Sequence, residues 1–142
     1  MIRIGIAETD EEVLACFPTM GHLRRHLVRD EFLARIRRQE RAGYRLAFLE
    51  GDGRVRAVAG FRILESLASG RFLYVDDLVS DPADRSKGYG GALFDWLVER
   101  ARSEGCDDLE LDSGVQRFGA HRFYLRKRME ISSHHFRLNL RP

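Results

Sequence analysis

An α+β domain is predicted, an αβα sandwich on a mixed, mostly antiparallel sheet with helices on both faces, and three observations predict it. Ile2, Ile4 and Ile6 alternate with other residues, the period of a half-buried strand. Three strand-like runs follow between residues 44 and 80, separated by glycine turns. Leu93, Trp96, Leu97 and Ala101 then fall at the i, i+3, i+4, i+8 spacing of a helix face, between two strand-like runs. A strand, a helix and a strand imply a right-handed crossover, so the runs ending near Ser80 and Asp112 should be parallel neighbours. With 142 residues there is room for one core, and residues 1–142 are read as a single domain.

The elements follow in order. After the first strand, Thr9 or Asp10 can cap a helix starting at Glu11. A second helix, from about Asp30 to Ala42, puts Phe32, Leu33 and Ile36 on one side and stops at Gly43. Tyr44–Glu50 and Arg54–Leu64 form a hairpin through Gly51-Asp52-Gly53, whose glycines permit positive φ. Arg71–Ser80, after the Ser69-Gly70 turn, continues the meander. The amphipathic helix spans about Gly88–Glu104 and ends at Gly105, followed by a strand at Asp108–Asp112. A fourth helix at about Phe118–Arg128 and a last strand, Ser133–Leu140, with Phe136, Leu138 and Leu140 alternating, complete the chain.

Hydrophobic residues make up 44% and charged residues 32%, which excludes a disordered chain, a collagen repeat and a coiled-coil rod. No charge-free stretch approaches the roughly 20 residues of a membrane-spanning helix, and MIRIGIAETD is no secretory leader, so a cytoplasmic location is expected. Cys16 and Cys106 are far apart with no CxxC spacing, which suggests buried free thiols. The net charge of +2 is unevenly spread: eight arginines face three acids between His22 and Arg45, and acids cluster at 76–84 and 107–112. Such runs are the mark of solvated helix faces or of a nucleic-acid surface.

The segment Arg85-Ser86-Lys87-Gly88-Tyr89-Gly90-Gly91 lies between a strand and the helix it opens. Free N–H groups at a helix N-terminus, with the positive end of its dipole, bind phosphate oxygens, and glycine lets a ligand approach the main chain. The loop is neither a dinucleotide fingerprint, because Leu93 stands where the third glycine would be, nor a P-loop, because no Gly-Lys-Ser/Thr ends it. A turn that merely connects two elements is the competing reading.

Arg85-x-x-Gly88-x-Gly90 in this position resembles the coenzyme A loop of the GNAT N-acetyltransferase superfamily. The order of elements is similar over nearly the whole chain, most strongly from Asp77 to Tyr124. The resemblance implies a fold whose two parallel central strands splay apart to admit acetyl-CoA as cosubstrate. The main chain of Leu78, Val79 and Ser80 would then meet the pantetheine arm and the thioester carbonyl. The N–H groups of Ser86, Lys87, Gly88, Tyr89, Gly90 and Gly91 would hold the pyrophosphate, with Arg85 and Lys87 neutralising its charge.

Ala120-His121-Arg122-Phe123-Tyr124 resembles the family's short helix, in which a tyrosine four residues after an alanine faces the coenzyme sulfur. The departing thiolate has a pKa of roughly 8.5 and a phenol about 10, so Tyr124 can donate a proton to it. Without the resemblance, Phe123 and Tyr124 read as core aromatics. Arg117 stands where many members carry asparagine, and could reach a phosphate instead. Arg128-Met129 replaces the usual Gly-Phe after the helix, which suggests a different path into the last strand.

The attacking amine must lose a proton, because an alkyl ammonium has a pKa of about 10.4. Family members often use a carboxylate on the strand before the loop, which favours Asp77 as base. Asp76 and Asp77 should point to opposite faces, so that at most one lines the cleft. An acid that simply pairs with a nearby arginine is the competing reading, and Tyr74 is a weaker candidate for shaping the same wall. His22 and His26, at i, i+4, lack a third ligand, and no metal is expected.

The function expected is transfer of acetyl from acetyl-CoA to a primary amine by direct attack in a ternary complex. The alternative is an acyl-CoA-binding or sensing module without turnover; a nucleic-acid-binding domain is the third reading. The basic first helices favour an acceptor carrying carboxylate or phosphate, whereas Asp76 and Asp77 favour a polyamine or aminoglycoside. The acceptor is a small molecule or a peptide, no membrane is implied, and a homodimer is compatible with the fold.

Overall fold

A computed structural model describes all of residues 1–142. Strands β1 (Ile2–Ile6), β2 (Arg45–Gly51), β3 (Arg54–Ser66), β4 (Gly70–Ser80) and β5 (Asp108–Leu111) form one mixed sheet in the order β1-β2-β3-β4-β5. The first three junctions are antiparallel, with Ile4 opposite Leu49, Ala47 opposite Ala59 and Val58 opposite Val79. Helices α1 (Asp10–Ala15), α2 (Phe17–Leu23) and α3 (Arg29–Glu40) precede β2; α4 (Tyr89–Ser103) precedes β5 and α5 (Phe118–Arg126) follows it. No helix is long and apolar enough to cross a membrane. The chain divides into two units, Met1–Glu110 and Leu111–Pro142.

In the first unit, Thr9 is the α1 cap: its hydroxyl accepts from Glu12 N–H at 3.1 Å while Glu12 accepts from Thr9 N–H at 3.0 Å. Helix α2 was not expected; Pro18 stands in its first turn, where its missing N–H has no intrahelical partner to lose. Residues on alternate sides of the sheet make two cores. Leu46, Phe48 and Val58 pack with Val13, Cys16, Met20, Phe32 and Ile36 from α1, α2 and α3. Ala57, Ala59, Phe61, Leu73 and Val75 are buried too, as is the Leu93, Leu97, Ala101 stripe of α4, which packs on β3 and β4.

The β2–β3 hairpin turns through Asp52 (φ 52°) and Gly53 (φ 83°), a two-residue loop of the primed type. Gly51 does not take positive φ; it ends β2, where the Tyr89 hydroxyl lies 3.4 Å from the place a Cβ would occupy. Between β3 and β4 the register shifts, Gly60 facing Asp77 and Phe61 facing Val75, so that Asp76 is an extra residue on β4.

The second unit holds α5, which buries no side chain fully. The helix closes with Arg128 N–H donating to Leu125 O at 3.0 Å and Met129 N–H to Tyr124 O at 3.1 Å, and Arg128 adopts φ 69°. This is the Schellman pattern, with arginine at the left-handed position usually given to glycine. The strand expected at Ser133–Leu140 does not form: residues 129–142 carry no regular secondary structure, and Phe136 is 91%, Leu138 81% and Leu140 87% exposed. Alternation assigns faces to a strand but does not by itself supply an edge to pair with.

Candidate active site

Strand β4 carries most of the site. Its Leu78, Val79 and Ser80 pair on one side with Ala59, Val58 and Ala57. On the other side β5 begins where Asp107 N–H meets Arg71 O at 2.7 Å, and it is four residues long against eleven in β4. β5 therefore cannot reach the Leu78–Ser80 end, which presents an unpaired main-chain edge of the kind an extended ligand can join.

The loop beyond Ser80 is fixed from below. Asp81 accepts from Ala83 N–H at 2.9 Å and starts a short 3₁₀ turn, Pro82–Asp84. Asp84 is buried and accepts from Arg56 at 3.1 Å, with Lys87 at 3.4 Å and Arg54 at 3.5 Å. Sequence reasoning passed over Asp84 as one acid among several; the signal would have been an acid next to proline at the head of a glycine loop. Ser86 (φ 71°) and Gly88 (φ 80°) both take the left-handed region, and Gly88 caps α4 with no side chain bonded there. Main-chain N–H groups at the start of α4 are therefore free to bind an anion, and a Cβ on Gly88 would meet nothing within 4 Å. These features fit a pyrophosphate. Arg85 is exposed, and Lys87 shares its charge with Asp84.

The bulge at Asp76 overturns the expected alternation: Asp76 and Asp77 both line one cavity of about 380 Å³. Tyr74 lines it as well, as do Arg24, His26, Arg35 and Tyr44, none of which sequence reasoning had placed there with the two acids. Asp77 Oδ1 accepts from Arg24 Nε and Oδ2 from the Tyr44 hydroxyl, each at 2.8 Å. A carboxylate has about four acceptor positions, so two remain for an ammonium or a water. Asp76 accepts from Arg62 Nε at 2.7 Å. Burial pushes its carboxyl above the usual range, against the pull of Arg62. Burial also holds the Tyr44 phenol well above its ordinary pKa, and the Asp77 charge adds to it, so Tyr44 stays a donor.

The remaining sequence candidates fall elsewhere. His22 and His26 do not share a helix face, because α2 ends at Leu23; His22 stands 3.9 Å from Asp81. Burial pushes the Cys16 thiol up to about 12, which leaves it inert. In the second unit, burial raises the Tyr124 pKa, while the charge and hydrogen bond of Arg117 lower it. Arg117 therefore has a neighbour in Tyr124, beside which the sequence had offered it only a phosphate. His121 Nε2 lies 2.7 Å from Gly114 O.

Residues 6–129 match the model of the Acetyltransferase (GNAT) family. The chain is 35% identical over 139 residues to an uncharacterized N-acetyltransferase, YhdJ, of Bacillus subtilis, covering 96% of this chain and 98% of that one. It is 32% identical over 140 residues to an aminoalkylphosphonate N-acetyltransferase of Salmonella typhimurium, covering 96% and 87%. In fold it is similar to the solved structure of AAC(6')-Iy in complex with a bisubstrate analogue, CoA-S-monomethyl-acetylneamine. The TM-score there is 0.85 and the identity 14%, over 100% of this chain and 99% of that one.

Proposed function

The chain belongs to the GNAT family and is an acetyltransferase, and on that premise we propose that it moves acetyl from acetyl-CoA to the primary amine of a small acceptor that also bears an anionic group. One observation carries this reading: the same strand lines the charged cavity with Asp76 and Asp77 and, one residue on, offers an unpaired edge at Leu78–Ser80. An acceptor in that cavity and an acyl donor on that edge would meet along β4. The sign of the cavity supports the acceptor class, because Asp77 suits an ammonium while Arg35 and His26 suit an anion. A relative named for an aminoalkylphosphonate substrate, which joins an amine to an anion, supports it too.

In the proposed reaction the acceptor nitrogen, relieved of its proton by Asp77 directly or through water, attacks the thioester carbonyl. The C–N bond forms, the C–S bond breaks, and the electron pair leaves on sulfur. Tyr124 gives its proton to that thiolate, the role the family resemblance assigns it. N–H groups of Ser86–Gly91 hold the pyrophosphate, with Arg85 and Lys87 supplying charge, and the Leu78–Ser80 main chain orients the pantetheine. Most of the rate gain comes from positioning amine against thioester. Three of the eight arginines between His22 and Arg45 are held in ion pairs, Arg24 with Asp77, Arg37 with Asp10 and Arg45 with Glu104, so part of this basic run serves the fold.

The test is thermal unfolding with acetyl-CoA, coenzyme A and ATP, followed by thiol release against an amine panel. A ligand at 100 times its dissociation constant stabilises by about 2.7 kcal/mol, which raises the midpoint by several degrees. Expected are shifts with both coenzyme forms but not ATP, their loss in Gly88→Glu, and turnover that is faster with an aminoalkyl phosphonate or amino acid than with a polyamine. Absence of a coenzyme shift would sink the donor site; preference for polyamines would sink the acceptor class alone.

A further inference from the structure

Helix α3 carries one arginine in the stripe that faces inward. Phe32, Arg35, Ile36 and Gln39 fall at the i, i+3, i+4, i+7 spacing of a single face, and all four line the cavity that holds Asp76 and Asp77. Phe32 and Ile36 are buried, and Arg35 between them is half-buried. Its neighbours on the helix are settled otherwise: Arg37 pairs with Asp10 and Glu40, and Arg38 is exposed to water. Arg35 makes no hydrogen bond or ion pair with the chain. A guanidinium partly withdrawn from water without a partner costs free energy that an apolar residue in the same stripe would not.

The acids of the cavity do not meet that need, because each already has its own arginine. Arg24 Nε donates to Asp77 Oδ1 at 2.8 Å, and its Nη2 to the Asp76 main-chain oxygen at 2.9 Å. Arg62 Nε donates to Asp76 Oδ2 at 2.7 Å, and its Nη2 to Gln39 Oε1 at 2.6 Å, so the polar group one turn from Arg35 is engaged too. Arg24, Arg35 and Arg62 thus meet Asp76 and Asp77, and the positive charge left over is that of Arg35. A polyamine would add to that surplus, whereas an acceptor anion would cancel it.

We propose that Arg35 is the specificity-determining residue for the acceptor: its guanidinium binds the phosphonate, phosphate or carboxylate group while the amine turns to Asp77. The planar fork offers two parallel N–H groups to two oxygens of such an anion. The assignment rests on the acceptor class proposed above and names the residue that enforces it. It also resolves the opposed cues of the sequence, since the acids that favoured a polyamine are each matched by an arginine and Arg35 is not matched by an acid.

Selectivity is measured as the ratio of kcat/KM for 2-aminoethylphosphonate to that for propylamine, with β-alanine and putrescine as further acceptors, in wild type and Arg35→Met. Loss of a hydrogen-bonded charge should lower that ratio by roughly 10-fold to 100-fold. Calorimetry, which needs no turnover, should show the phosphonate bound more weakly by the same factor. Without acceptor, Arg35→Met should raise the unfolding midpoint, because a residue held for its ligand costs stability that an apolar replacement recovers. An unchanged ratio or a lowered midpoint would overturn the assignment of Arg35 and leave the acceptor class standing. A wild type that prefers putrescine to both anionic acceptors would overturn the class and the assignment together. Should Arg35→Met fail to fold, Arg35→Lys decides by the same ratio, which should fall because the charge is kept but the fork is lost.

Discussion

The Tyr44 hydroxyl donates to Asp77 Oδ2 at 2.8 Å directly over the bare backbone of Gly60. A Cβ on Gly60 would lie 1.9 Å from that hydroxyl and 2.5 Å from Asp77 Oδ2, so neither group could stay in place. Gly60→Ala is therefore expected to destabilise by about 1–3 kcal/mol, the usual range for overpacking. It should also raise the acceptor KM, while coenzyme A titration is unchanged because the loop lies elsewhere on the chain. Unaltered acceptor kinetics would show that the Tyr44–Asp77 pair is structural only.

Asp77→Asn keeps the shape of the pair but cannot take a proton. Transfer should slow by roughly 10²–10⁴, the usual contribution of a general base, with coenzyme binding retained. Tyr44→Phe removes one hydrogen bond and should cost about 1 kcal/mol of stability. Because Tyr44 is held well above its ordinary pKa, the alkaline limb of the wild-type pH–rate profile should persist in the phenylalanine variant. A shift of that limb would assign the ionisation to Tyr44.

Period and punctuation made β1, the β2–β3–β4 meander, α3, α4 and the loop legible in the sequence, since each depends on residues close together in the chain. Three features escaped because they depend on distant partners. The Asp76 bulge arises from register against β3, and no local pattern announces it. Arg24 and Tyr44 meet Asp77 across 53 and 33 residues. The last strand was readable as a pattern but not as a structure, because alternation marks faces and supplies no partner edge. The glycine loop was found by composition, whereas its support by buried Asp84 required three arginine and lysine side chains to converge in space.

Tyr124→Phe should retain coenzyme binding and slow transfer, since only the hydroxyl proton is lost. Burial keeps the phenol protonated at neutral pH, which a proton donor requires. Arg117→Ala, by removing the group that lowers this pKa, should move the tyrosinate absorbance titration of Tyr124 to higher pH. Full turnover in Tyr124→Phe would exclude it as the acid.

Asp81 links stability to pH. The Ala83 N–H first, and Arg54 next, hold its carboxyl below the ordinary 3.8. A carboxyl lowered on folding stabilises above its unfolded value and loses that contribution as pH falls through the folded one. Asp81→Asn should thus lower the unfolding midpoint at pH 7, and the gap to wild type should narrow below about pH 3.8. Because Asp81 leads into the glycine loop, coenzyme affinity should weaken as well. A pH-independent gap would mean that shape, not charge, explains the loss.

Arg128 sits at φ 69° in the Schellman turn that ends α5, with Met129 N–H bonded to Tyr124 O. An L residue in the left-handed region costs roughly 1–2 kcal/mol, and glycine returns part of this as extra unfolded-state entropy. Arg128→Gly should therefore stabilise by about 1 kcal/mol and raise the midpoint by roughly 3–5 °C. The side chain itself is exposed. An unchanged or lower midpoint would show that the left-handed arginine carries no cost that glycine relieves.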